Sequence, residues 1–183
     1  MLAQNSAVVS GPNQAVSSNA KAPSDNVKNM LNDPDVGIRS AGYKLLARGG
    51  NNPEALELLT LKGMRDKSPA VRQVAAVAVV QALGQEKASF LLGKISQDKT
   101  LTSPERNVAT LGLSECGTNA LPHIMSLLNA EEGVIRYRAL QGVEVLKGKG
   151  IDISCLHKKI VDLVEKEQYP DAKKVAAKLF SQF

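Results

Sequence analysis

Two histidines and two cysteines are the only side chains in this sequence with the imidazole and thiol donors of soft-metal sites. His123 and His157 each lack a second ligand three or four residues onward, so neither forms a ligand pair on one helix face. Cys116 and Cys155 have no CxxC spacing and no nearby histidine pair, so a metal site is not expected. Both sit among apolar residues, which predicts free, buried thiols. No disulfide between them is expected, because the start of the chain shows no secretory signal. There is no P-loop, no GxGxxG, no GxSxG and no nucleophile–base spacing. The sequence therefore nominates no catalytic residue, no metal and no cofactor.

The spacing that carries information belongs to basic residues. Arg39, Arg72, Arg106, Arg136 and Lys173 follow one another at intervals of 33, 34, 30 and 37 residues. Such a ladder suggests phosphate binding, and the charge is uneven in the same sense. Residues 134–183 hold 10 Lys/Arg against 6 Asp/Glu, whereas residues 1–133 hold 13 against 12. Arg136, Arg138, Lys147, Lys149, Lys158, Lys159, Lys173, Lys174 and Lys178 could together line one side of the C-terminal part. Only Tyr137 and Tyr169 lie nearby to stack on bases, so nucleic-acid binding would rest on salt-dependent contacts to the duplex backbone. An ordinary solvated surface explains the same charges. Each arginine also has an acid shortly before it: Asp33 with Arg39, Asp66 with Arg72, Asp98 with Arg106, and Glu131 or Glu132 with Arg136.

The elements that carry these anchors are helices. Asp66 to Gly84 is the clearest, with Asp66 and Ser68 as candidate caps, Pro69 in the first turn and Gly84 at the end. Val71, Val74, Ala75, Ala78, Val79, Ala82 and Leu83 form its apolar stripe at helical period. Its length, and an apolar back face of Ala76, Val77 and Val80, predict an interior helix rather than a strand. No run is long enough to span a membrane.

The stripe repeats with the anchors. Three residues after each anchor stands Gly42, Ala75, Ala109, Ala139 or Ala176; seven after stands Leu46, Val79, Leu113, Val143 or Phe180. These positions share one helix face, so each unit repeats its packing surface as well as its length. Second helices lie between the anchored ones. Their stripes carry Ala55, Leu56, Leu58, Leu59 and Met64; then Ala88, Phe90, Leu91, Leu92 and Ile95; then Leu121, Ile124, Met125, Leu127 and Leu128; then Leu156, Ile160, Leu163 and Val164. Gly49-Gly50, Gly84, Gly117 and Gly148-Lys149-Gly150 mark short connections.

Asp-Pro-Asp-Val-Gly-Ile-Arg-Ser-Ala (33–41), Ser-Pro-Ala-Val-Arg-Gln-Val-Ala (68–75) and Ala-Leu-Pro-His-Ile-Met-Ser-Leu-Leu (120–128) resemble HEAT repeats of the short bacterial kind. The resemblance implies an all-α fold, a right-handed α-solenoid of about four to five helical hairpins over residues 25–183. The units fall at approximately 33–65, 66–97, 98–129 and 130–168, with a partial one at 169–183. It departs from the pattern where Glu105 and Ala172 replace an aliphatic residue and where Arg138 enters an apolar position. It also implies that Arg39, Arg72, Arg106 and Arg136, with Asp33 and Asp66, are structural anchors that pair between stacked units. The function it implies is a non-catalytic scaffold that holds a protein partner on the face of the second helices. The outward positions there are Glu54, Glu57, Lys62, Lys87, Lys94, His123, Ser126, Lys158 and Lys159. Iron-binding relatives carry repeated His-Glu pairs and the DNA glycosylases carry Trp, and neither feature occurs here. A HEAT-like lyase or glycosylase is the remotest alternative.

Residues 1–24 are rich in Ser, Asn, Ala and Gln and show no periodicity, which predicts a disordered tail. Ala7-Val8-Val9 is its one segment suited to docking on a partner. With no leader seen, the expected location is cytoplasmic.

Overall fold

The computed structural model describes residues 22–183, so the expected tail, Ala7-Val8-Val9 included, lies outside the described residues up to Lys21. The fold is all-α, with no strand among the described residues. Ten α-helices follow: α1 (Asp25–Met30), α2 (Val36–Ala47), α3 (Pro53–Glu57), α4 (Pro69–Leu83), α5 (Gln85–Gln97), α6 (Ser103–Leu113), α7 (Leu121–Leu127), α8 (Gly133–Gly148), α9 (His157–Lys166) and α10 (Pro170–Phe180). Behind α3 the chain continues through a π turn (Leu58–Lys62) and a 3-10 turn (Gly63–Arg65).

Helix starts are set by short polar side chains. Asp35 accepts from the backbone N–H of Ile38 at 2.9 Å, and Asn52 from that of Ala55 at 3.1 Å. At the head of α6 the N–H and hydroxyl of Thr102 donate to Glu105, at 2.8 and 2.6 Å. The caps expected for α4 act differently. Ser68 holds the cap position without a side-chain bond, and Asp66 instead accepts from the Ser68 N–H at 2.8 Å. Gly84, at φ 77°, ends α4 and opens α5 directly.

Burial then orders the helices. α2 packs on α4, α4 on α6, α6 on α8 and α8 on α10, so the anchored helices succeed one another. α5 packs against α4, α6 and α7, and α9 against α10. Val71, Ala75, Ala78 and Val79 of α4 are buried between these neighbours, as its all-round apolar surface requires. Small residues permit the approach: a side chain on Gly63 would collide with Ala75 and the ring of Tyr43.

Three expectations about burial fail. Phe90 is 60% exposed although it belongs to a stripe expected in the core, because Phe90, Leu91 and Leu92 turn through about 100° each and cannot all face inward. Phe180 is 46% exposed, and Leu179 beside it fills the core position on α10. Cys116 is buried, with burial pushing its thiol up to about 11, whereas Cys155 is exposed.

Candidate functional site

The anchor arginines are joined by carboxylates that lie ahead of them in the chain. Arg39 donates through Nε and Nη2 to Asp66 at 2.8 and 3.0 Å. Arg106 donates to Glu132 at 2.7 and 3.3 Å, and Arg136 to Glu167 at 2.6 and 2.5 Å. Nη1 of Arg39 and of Arg136 meanwhile binds two backbone carbonyls of the turn before its own helix. The pairings read from proximity in sequence are therefore corrected. The acid before each arginine offers it a carbonyl or nothing: the carboxylates of Asp66 and Glu132 reach back to Arg39 and Arg106, whereas that of Asp33 accepts from the Asp35 N–H and pairs with no anchor. Burial opposes ionisation of Asp66, but its hydrogen bonds from Arg39 and Ser68 hold it below the usual carboxylate range. Glu167 is lowered in the same way, chiefly by Arg136.

Arg72 breaks this ladder. Its Nη1 binds the carbonyls of Asp66 and Lys67 at 2.7 and 3.2 Å, matching Arg39 and Arg136. Among the described residues no carboxylate meets its Nε–Nη2 edge, and Nε is buried without an acceptor. The acid that should serve it is Asp98. Asp98 stands eight residues before Arg106, where Asp66 stands six before Arg72, and it closes a local turn by accepting from the N–H and hydroxyl of Thr100 at 2.9 and 2.6 Å. Those bonds are the main cause that holds Asp98 low, with a smaller contribution from the charge of Arg106.

Beside the gap lies an apolar hollow of about 280 Å3 lined by Thr60, Leu61, Met64, Arg65, Leu91, Ile95, Asp98, Leu101 and Glu105. The π turn shapes it. The Thr60 hydroxyl donates to the Leu56 carbonyl at 2.8 Å, and the widened turn leaves Leu59 buried but Leu61 52% exposed. Arg65 pairs with Glu105 at the rim. A second hollow of about 270 Å3 shares Met64, Arg65 and Glu105 and adds Arg72, Thr102 and Pro104.

The sequence-nominated partner residues divide into three groups. Lys87 and Lys94 are exposed on α5 on the face of Phe90, whose ring meets His123 edge-on at 5.5 Å; Ser126 is exposed one turn beyond His123. Glu54 and Lys62 are turned toward the first helix, pairing with Lys28 and Asn32 at 2.6 Å each, while Glu57 stays exposed. Lys158 and Lys159 lie apart on α9. Sequence reasoning missed Leu61, Phe90 and Arg65 as surface features. The signal available was the run Leu58-Leu59-Thr60-Leu61, too apolar to be buried at one face.

Five of the nine C-terminal basic residues are engaged within the chain. Arg136, Lys149 and Lys178 pair with Glu167, Glu115 and Glu144. Arg138 binds Gln141 at 2.7 Å, and Lys147 binds the Gln182 carbonyl at 2.5 Å. Among the described residues Lys158, Lys159, Lys173 and Lys174 form no ion pair. Among the described residues no group of three or more His, Cys, Asp or Glu could hold a metal, and no helix is long and apolar enough to cross a membrane. Comparison with protein-family models and with curated proteins finds no match to this chain.

Proposed function

We propose that this chain is a non-catalytic, HEAT-like α-solenoid whose second-helix side holds a protein partner. The succession α2, α4, α6, α8, α10 and the carboxylates that clamp one anchored helix to the next support the stacked-hairpin reading. One observation carries the partner: Leu61 and Phe90, at 52% and 60% exposure, stand on the second-helix side with the apolar hollow of Leu91, Ile95 and Leu101 beside Leu61. Large apolar side chains left in water beside a hollow mark an interaction surface. The nucleic-acid reading draws less support, because Arg136, Lys149 and Lys178 are already paired with carboxylates and offer less to phosphate.

The test is capture from native extract by the full chain and by a Leu61→Asp, Phe90→Asp variant, each at low and moderate salt. A protein retained at moderate salt by the wild type and lost in the variant supports the reading. Nucleic acid released by salt supports the alternative. Equal retention by both chains removes Leu61 and Phe90 from the site.

A further inference from the structure

We infer that the groove between α2 and α4 is a second docking surface, which takes a segment of a protein partner carrying two carboxylates beside apolar side chains. The groove encloses about 670 Å3, and none of its lining residues comes from a second helix. It is therefore separate from the surface of Leu61 and Phe90. Its floor is apolar, with Val74 and Val77 half-buried on α4. Lys44 and Arg48, exposed one turn apart on α2, form one wall, and Gln73 and Gln81 stand exposed on α4. From Gln73 to Gln81 is about 12 Å of helix, which matches two turns of a bound helix or about four extended residues.

Later joints of the same row show what this one lacks. Between α8 and α10, Lys178 pairs with Glu144; between α6 and α8, Lys149 pairs with Glu115. Lys44 stands five residues after its anchor, as Lys178 does, and Gln81 stands nine after its anchor, where Glu115 stands in the next unit. At the α2–α4 joint the acid is thus replaced by a neutral amide. No acid lines the groove, and among the described residues neither Lys44 nor Arg48 forms an ion pair. Two positive charges beside an apolar floor are left uncovered, and an occupant must answer both features. Carboxylates about 6 Å apart, one helical turn, meet Lys44 and Arg48, while a neighbouring apolar side chain covers Val74 and Val77. A phosphate group answers the charge and leaves the valines in water. Residues 1–21 of this chain contain no Asp or Glu, so that segment answers only the floor.

The experiment titrates the full chain with acetylated, amidated peptides carrying two leucines and two glutamates, the glutamates two, three or four residues apart. Backbone NMR signals of Lys44, Arg48, Val74 and Val77 report the groove, and those of Leu61 and Phe90 report the other surface. At the best spacing the groove signals shift, the glutamine counterpart binds about three- to tenfold more weakly, and the difference shrinks as salt is raised. A Lys44→Glu, Arg48→Glu variant, altered only at exposed positions, reverses the preference toward lysine peptides. The Leu61→Asp, Phe90→Asp variant leaves the groove titration unchanged, so failure of one surface is distinguishable from failure of the other. Equal affinity for glutamate and glutamine peptides would overturn the inference, as would no shift at the groove from any spacing. Equal shifts at Lys44 and Arg48 from inorganic phosphate or duplex DNA would assign the cations to phosphate and overturn it. So would concentration-dependent shifts at these residues without peptide, which would place a second copy of the chain in the groove. The wild-type comparison of glutamate with glutamine decides the matter even if a variant fails to fold.

Discussion

Glu167 gives the sharpest test of what holds the stack together. Its side chain is fully buried, and Arg136 opposite is 17% exposed. Four donors converge on the carboxylate: Arg136 Nε and Nη2 at 2.6 and 2.5 Å, and the N–H groups of Gln168 and Tyr169 at 2.9 and 2.8 Å. Glu167→Ala strips all four and leaves a guanidinium that keeps only the carbonyls of Ala130 and Glu131. Breaking one side of a buried pair costs about 3–5 kcal/mol. Arg136 retains some contact with water, which places the loss near the lower end, about 3 kcal/mol. For a chain of this size that is a fall in Tm of roughly 6–12 °C. Glu167→Gln keeps an acceptor for the backbone and should lose roughly 1–2 kcal/mol.

The assay is urea and thermal unfolding of wild type and both variants, repeated as the pH is lowered. Arg136 holds the Glu167 carboxyl below the usual range against the effect of burial. A lowered folded value means the stabilisation is complete above the unfolded value of about 4.3 and fades as pH falls through the folded one. The gap between wild type and Glu167→Ala should therefore be level from neutral pH to about 5 and narrow below it. A loss under about 1 kcal/mol would refute the reasoning, since that is the range of an exposed pair. So would a gap that stays constant in acid while the wild type remains folded.

The other predictions concern single groups. Tyr43→Phe should leave stability unchanged or raise it by up to about 1 kcal/mol, because the buried hydroxyl has no partner. Burial and the charge of Asp66 push that phenol up to about 12, so a loss beyond about 1 kcal/mol in urea would show that the hydroxyl is satisfied after all. Arg72→Ala should cost about 1–2 kcal/mol more than Lys87→Ala but less than Glu167→Ala, since Arg72 holds two carbonyls and no carboxylate; equal melting temperatures for Arg72→Ala and Lys87→Ala would contradict this. A thiol reagent should modify Cys155 quickly and Cys116 only on unfolding, and two fast thiols would be the contrary result.

Helices and their core faces were legible because period and small residues act locally. Val71, Ala75 and Val79 must share a side once α4 is a helix, and Gly42, Ala109 and Ala139 are buried at equivalent places for the same reason. Partners across the stack were not legible. Asp66 stands nearer in sequence to Arg72 than to Arg39, yet its carboxylate goes to Arg39, because stacking brings the turn ahead over the previous helix. Nor could the pattern show that Thr60 widens a turn and turns Leu61 outward, since a hydroxyl's choice of acceptor depends on backbone geometry.

The irregular pieces of the fold meet at one place. The π turn supplies Thr60 and Leu61, the 3-10 turn supplies Met64 and Arg65, and the turn after α5 supplies Asp98 and Leu101; all line the same hollow. Each departs from what its equivalent does elsewhere: an exposed leucine, a second arginine, an acid folded onto Thr100. Regular positions such as Val71 and Arg39 are fixed by their neighbours, and substituting them costs stability. An exposed Leu61 and an Arg72 whose buried Nε lacks an acceptor are not explained by stability, because each is less favourable than its regular counterpart.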